Sequence, residues 1–135
     1  MISRAIRRCW TALTLITVAC ATAGSVRSPP LDAGEAKFYA SPLPVVTQAT
    51  RLAMLSAGLA VDTMSQPDSL TWMILGHRGL SLLSYGEVVR VIVQQVPEGA
   101  VAVRVVTKRR LATNITAKDW SHPIFERLDQ ILTQP

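Results

Sequence analysis

Few residues in this chain have the types and spacing that chemistry needs. His77 and His122 are its only two histidines. Neither has a partner at metal-ligand spacing, so no zinc or other metal site and no cofactor is expected. Ser81 and Ser84 stand close to His77 and could be imagined as nucleophile beside base, but a loop serine near a lone histidine is far more often structural. Catalysis would need a deep polar pocket gathering His77 or His122 with a carboxylate such as Asp62, Glu87 or Asp119. Gly76, Gly79 and Gly86 are spread around a turn and read as backbone turns, not as a phosphate-cradling loop. The one notable charge cluster is Arg104 with Lys108-Arg109-Arg110. It is a candidate anion contact, for a phospholipid headgroup or lipopolysaccharide phosphate. Its plain alternative is a solvated strand end whose charges guard an edge against aggregation. The aromatic residues are not interleaved with the basic ones, so nucleic-acid binding is not expected.

The most specific spacing lies near the N-terminus. Arg4, Arg7 and Arg8 precede the apolar run Cys9–Ala19, and neither Arg nor Lys occurs between Cys9 and Val26. That is the layout of a secretory signal, and the run is short against the roughly 20 apolar residues of a membrane-spanning helix. Two processing sites compete. Thr17-Val18-Ala19-Cys20 resembles a bacterial lipobox, with Thr17 where Leu is usual; cleavage before Cys20 would let its thiol carry a diacylglycerol and so anchor the chain. Ala21-Thr22-Ala23 is an A-x-A site that would release a soluble periplasmic protein starting at Gly24. The first is the working expectation: residues 1–19 a signal peptide, Cys20 the lipidation site. Ala21 after the cysteine, where Asp would mark inner-membrane retention, implies the periplasmic face of the outer membrane. Cys9 would be lost with the signal, so no disulfide is possible in the mature chain, and lipidation would remove the lone thiol of Cys20. The Asn114-Ile115-Thr116 sequon matters only in a eukaryotic host.

Composition agrees with export of one modest domain. The chain has 135 residues, 49% of them hydrophobic, enough for a core without disulfide or metal support. Its formal net charge is +5, from 14 basic and 9 acidic residues; without Arg4, Arg7 and Arg8 the remainder carries 11 basic residues and a net charge of +2. The basic balance therefore belongs partly to the targeting segment and argues for no polyanionic partner.

The elements that would position these residues follow from periodicity. Residues 20–40 hold Pro29, Pro30 and Gly34 and read as a tether, with Phe38 and Tyr39 docking at its end. A single domain spans 41–135. Ser41 and Pro42 start a helix over 42–57, as N-cap and first helical residue, with Val46, Ala49, Leu52 and Ala53 on its apolar face and Gly58 as its stop. Strands are expected at Leu59–Met64 and Leu70–His77, separated by turn chemistry at Ser65–Ser69. The hairpin Glu87–Arg109 turns at Pro97-Glu98-Gly99 and sets Val93 against Val103 and Val91 against Val105. Arg90, Gln94 and Arg104 would then face water. A second helix over 123–133 carries Ile124, Leu128, Ile131 and Leu132, capped by Asp119 or Ser121. Trp72 and Trp120 read as packing residues. The turn Leu80–Tyr85 is a candidate partner lip. The expectation is an α+β two-layer sandwich, a four-stranded antiparallel sheet with two helices on one face, in the order αββββα.

The segments Gly86-Glu87-Val88-Val89-Arg90-Val91, Val101–Val106 and Arg109-Arg110-Leu111-Ala112-Thr113-Asn114 together resemble small bacterial envelope lipoproteins of unknown function. Their single domain is similar to the repeated helix-grip modules of the outer-membrane assembly lipoprotein NlpB/BamC. The resemblance covers roughly residues 36–133. It implies a non-enzymatic binding or scaffolding role among envelope proteins and brings no catalytic residues.

Overall fold

The computed structural model describes residue 27 and residues 29–80, 86–111, 113 and 115–134. The signal-like segment, Cys9, Cys20, Ala21–Ala23, residues 81–85 and Asn114 lie outside the described residues. The elements are β1 (Glu35–Tyr39), α1 (Leu43–Ser56), β2 (Ala60–Asp68), β3 (Thr71–Arg78), β4 (Glu87–Gln95), β5 (Val101–Arg109) and α2 (Ser121–Thr133). The strands form one antiparallel sheet in the order β1-β5-β4-β3-β2, and α1 and α2 pack side by side against one of its faces.

The α+β class and the pair of helices are as expected; the strand count is five, not four. The extra strand is Glu35–Tyr39, within the segment whose composition predicts a tether. It pairs with β5 from Glu35↔Val105 to Tyr39↔Val101. Backbone pairing needs no apolar stripe, so hydropathy alone did not mark it. Tyr39 does dock: its hydroxyl donates to Asp129 of α2 at 3.0 Å, and Lys37 forms an ion pair with the same carboxylate. Phe38, on the other face, stays 58% exposed.

The hairpin registers as expected, with Val93↔Val103 and Val91↔Val105. Antiparallel partners share a face, so Val89, Val91, Val93, Val101, Val103 and Val105 line the core together. Gly99 takes φ +84°, and Val96 N donates to Ala100 O at 2.9 Å, which closes the three-residue loop.

Helix α1 ends as the sequence suggests. Gly58 is left-handed at φ +92°; its N–H donates to Leu55 O and that of Leu59 to Met54 O, both at 3.0 Å. The start differs. Pro42 is itself the N-cap residue, and no side chain caps the helix, so Ser41 does not play that role. The buried face is also rotated from the expected one. Thr47 and Thr50 are inside and Leu52 is outside. The threonine hydroxyls are satisfied by donating back to Leu43 O and Val46 O, at 2.8 and 2.7 Å, which makes their burial tolerable.

Strand β2 runs beyond its expected end, through Pro67 to Asp68. Proline is tolerated there because β2 is an edge strand. The turn shrinks to Ser69 and Leu70, held by Leu70 N donating to Asp68 Oδ1 at 2.8 Å. A register shift between Val61 and Thr63 makes Asp62 a bulge residue and lets both Val61 and Met64 reach the core.

Leu128, fully buried between α2 and the sheet, joins the two layers. Leu128→Ala is expected to lower unfolding stability by about 2–5 kcal/mol in urea titration, with the slope of the transition unchanged.

Candidate functional site

The second face of the sheet departs most from expectation. Arg90 is 0% exposed, although alternation assigned it to water. Its side chain shares that face with Leu75 of β3 and Val106 of β5, and the chain ahead of β1 lies over it. The guanidinium donates to Pro29 O at 2.6 Å and Pro30 O at 2.8 Å, with a longer contact to Arg27 O at 3.4 Å. Burial pushes its pKa down from the ordinary value. Proline carbonyls suit the task, because a residue without an N–H still offers a full acceptor. Ile92, Leu75, Val88 and Ala102 are buried around Arg90 on this face. Gln94 and Arg104 are half-buried on it, also short of the expected full exposure.

The predicted anion contact is divided by the pleat. Arg104 and Lys108 project to the Arg90 face, whereas Arg109 projects to the helix face. Lys108 and Arg109 are exposed, and Arg110 is half-buried with its N–H donating to Gly86 O at 3.2 Å. The four cations thus do not converge on one point. Lys108 and Arg109 do line a cavity of about 530 Å³, together with Lys118, which the sequence reading did not single out. Cations brought together from β5 and from the approach to α2 left no local pattern to find.

Of the described candidate catalytic groups, His77 and Asp62 come together, whereas His122, Glu87 and Asp119 stand apart from them. His77 meets Asp62: its Nδ1 lies 2.8 Å from both carboxylate oxygens, on an open strand surface where both are partly exposed. His122 lies at the start of α2, against the opposite face of the sheet, beside a groove shared with Glu126 and Arg127. Glu87 is buried and accepts from Lys118 N at 3.2 Å and Trp120 Nε1 at 3.4 Å. Trp120 is a core residue, as expected, with Arg78 and Lys118 over its ring at 5.3 and 4.9 Å. Trp72 packs against the same core. Ser81, Ser84 and Tyr85 lie outside the described residues, and Leu80, at the edge of that lip, is 75% exposed. Among the described residues no three His, Cys, Asp or Glu side chains come together as a metal cluster.

Asp119 organises the entry to α2. Its Oδ1 accepts from Ser121 N at 3.1 Å, Ser121 Oγ at 3.0 Å and Thr107 Oγ1 at 3.2 Å. Partial burial opposes its ionisation, but these hydrogen bonds outweigh it and hold the carboxyl below its usual range. Asp119 thus satisfies the first N–H of α2, Ser121 N, from one residue ahead of the N-cap; the N-cap residue itself is Trp120, with no side-chain cap. An apolar groove between α1 and α2 is lined by Val45, Leu52, Ile131 and Leu132, and no described helix is long and apolar enough to cross a membrane.

No protein-family model matches the chain, and no curated protein matches it.

Two outcomes follow from these contacts. With its pKa depressed in the folded state, Asp119 contributes stability that is present at neutral pH and fades as pH falls through the acid range. Asp119→Asn is therefore expected to destabilise the protein at pH 7, and the gap to wild type in thermal melts should close below about pH 4. Arg90→Met removes the clamp on Pro29 and Pro30. Exchange of the Ala33 amide, which donates to Pro30 O at 3.0 Å, is expected to quicken by at least about tenfold in hydrogen–deuterium exchange, while the β4 amides stay protected.

Proposed function

We propose that this chain is an exported bacterial envelope protein, held at the periplasmic face of the outer membrane by lipid on Cys20, whose folded body is a non-enzymatic interaction or scaffolding module. The observation that carries the reading is the arrangement of the N-terminal half. An export-type segment and a lipobox-like Thr17-Val18-Ala19-Cys20 stand shortly ahead of Arg27, whose carbonyl, among the described residues, already reaches Arg90 of the sheet. A lipid there would hold the domain close against its membrane.

The interaction role draws support from how the polar groups are employed. Glu87 serves Trp120 and Lys118, Asp119 accepts from Ser121 at the start of α2, and His77 with Asp62 sits on an open surface away from His122. Glu87 and Asp119 thus already have structural tasks, and the His77–Asp62 pair stands on an open surface, away from any deep polar pocket among the described residues. The resemblance to helix-grip lipoproteins belongs to the same proposal: two helices against one face of an antiparallel sheet are what it leads one to expect.

Metabolic labelling with palmitate tests the anchor. The wild-type protein is expected to take up label and fractionate with membranes, and Cys20→Ala to lose the label and leave the membrane fraction. The intact mass should match an acylated chain starting at Cys20. An unmodified chain starting at Gly24 would replace this reading with a soluble periplasmic one, and an intact Met1 would end both.

A further inference from the structure

The two strands at the β1 side of the sheet differ in length, and the difference leaves a site. Strand β5 has nine residues and β1 has five. Their pairing stops at Glu35↔Val105. Just before β1, Gly34 takes φ +100° and turns the chain off the sheet edge toward Arg90. The turn needs glycine twice over: the conformation is left-handed, and a Cβ there would lie 2.2 Å from Val105 O. As a result, no described strand pairs with the outer edge of Val106–Arg109.

Backbone alternation shows which groups are left over. Val96 N donates to Ala100 O at 2.9 Å and Arg110 N donates to Gly86 O at 3.2 Å, so the even-numbered residues of β5 turn their backbone groups toward β4. The odd-numbered residues turn theirs outward. Those of Val101, Val103 and Val105 face β1, whereas those of Thr107 and Arg109 face the cavity of about 530 Å³. One wall of this notch is Ala33, Gly34 and Glu35; the other is Ala117, Lys118 and Asp119.

An unpaired strand edge in a notch selects an extended peptide, because only another backbone can match donors and acceptors at that spacing. The flanking charge selects its side chains. Lys108, Arg109 and Lys118 are exposed at the notch and outnumber its two carboxylates, Glu35 and Asp119, of which Asp119 is held by Ser121 and Thr107. Glu35 stands at the β1 end, so an incoming acid is accommodated at the Arg109 end.

We propose that the notch beside Thr107 and Arg109 binds an extended acidic peptide segment of an envelope partner, added to the sheet as a further strand in line with β1. This deepens the interaction-module reading and rests on it for the biological role. Peptide binding itself is independent of the anchor, and the mass of the same sample reports acylation separately, so failure of one is distinct from failure of the other.

The test is a titration of the isotope-labelled full-length protein in detergent with a short acetylated peptide of alternating threonine and glutamate. The Thr107 and Arg109 amides are expected to show the largest shifts and to become slower to exchange. The matching threonine–lysine peptide should bind at least about tenfold more weakly, a difference that shrinks as salt rises. Arg109→Pro deletes an outward N–H that the β4 pairing does not use and should abolish the shifts, whereas Arg109→Lys should retain them. The charge reversals Lys108→Glu and Lys118→Glu, made together, give the same loss without touching the backbone. Unmoved Thr107 and Arg109 amides, or equal binding of the lysine peptide, would overturn the proposal.

Discussion

Strand β4 must be enclosed on both sides, and the rest of the structure follows from that requirement. Every residue from Glu87 to Val93 is buried. On one face, Val89, Val91 and Val93 require an apolar cover, which α1 and α2 supply with Val46, Ala53, Met54, Ile124 and Leu128. On the other face Arg90 requires acceptors, because a buried guanidinium left unpaired is far more costly than a buried hydrocarbon. The carbonyls of Pro29 and Pro30 meet that need at the two terminal nitrogens, while Nε stays buried without a partner among the described residues. The central strand thus recruits two helices to one side by the hydrophobic effect and a proline-rich segment to the other by directed hydrogen bonds.

The polar groups at the sheet's upper end follow the same logic of local satisfaction. Glu87 enters the interior only because Lys118 N and Trp120 Nε1 donate to it. The approach to α2 is in turn fixed where Thr107 and Asp119 meet, with Trp120 N donating to Thr107 Oγ1 at 3.2 Å. These contacts join the last strand to the last helix.

What could be read in the sequence was whatever local periodicity encodes. The valine alternation on both sides of Pro97-Glu98-Gly99 fixes the hairpin register, and Gly58 marks the end of α1. The apolar stripe of α2 is local too, with Ile124 and Leu128 inside and Ile131 and Leu132 partly so. What failed depended on partners distant in the chain. Glu35–Tyr39 becomes a strand because β5 offers an edge, and Arg90 is buried because a segment some sixty residues earlier covers it. The bulge at Asp62 breaks the alternation on which the assignment of β2 relied. The candidate site was legible only in part: Lys108 and Arg109 are visible as charge, but the notch they flank exists because Gly34 diverts another segment.

The bond network around Asp129 has a consequence for how this domain comes apart. Its carboxylate is held by Lys37 and Tyr39, so the first strand and the last helix are fastened to each other. The phenol is drawn into this arrangement strongly enough that burial and the neighbouring carboxylate raise its pKa well above normal. Ends of a chain ordinarily fray first, each on its own. Here the first described strand and the last helix are fastened to each other, so loosening one releases the other.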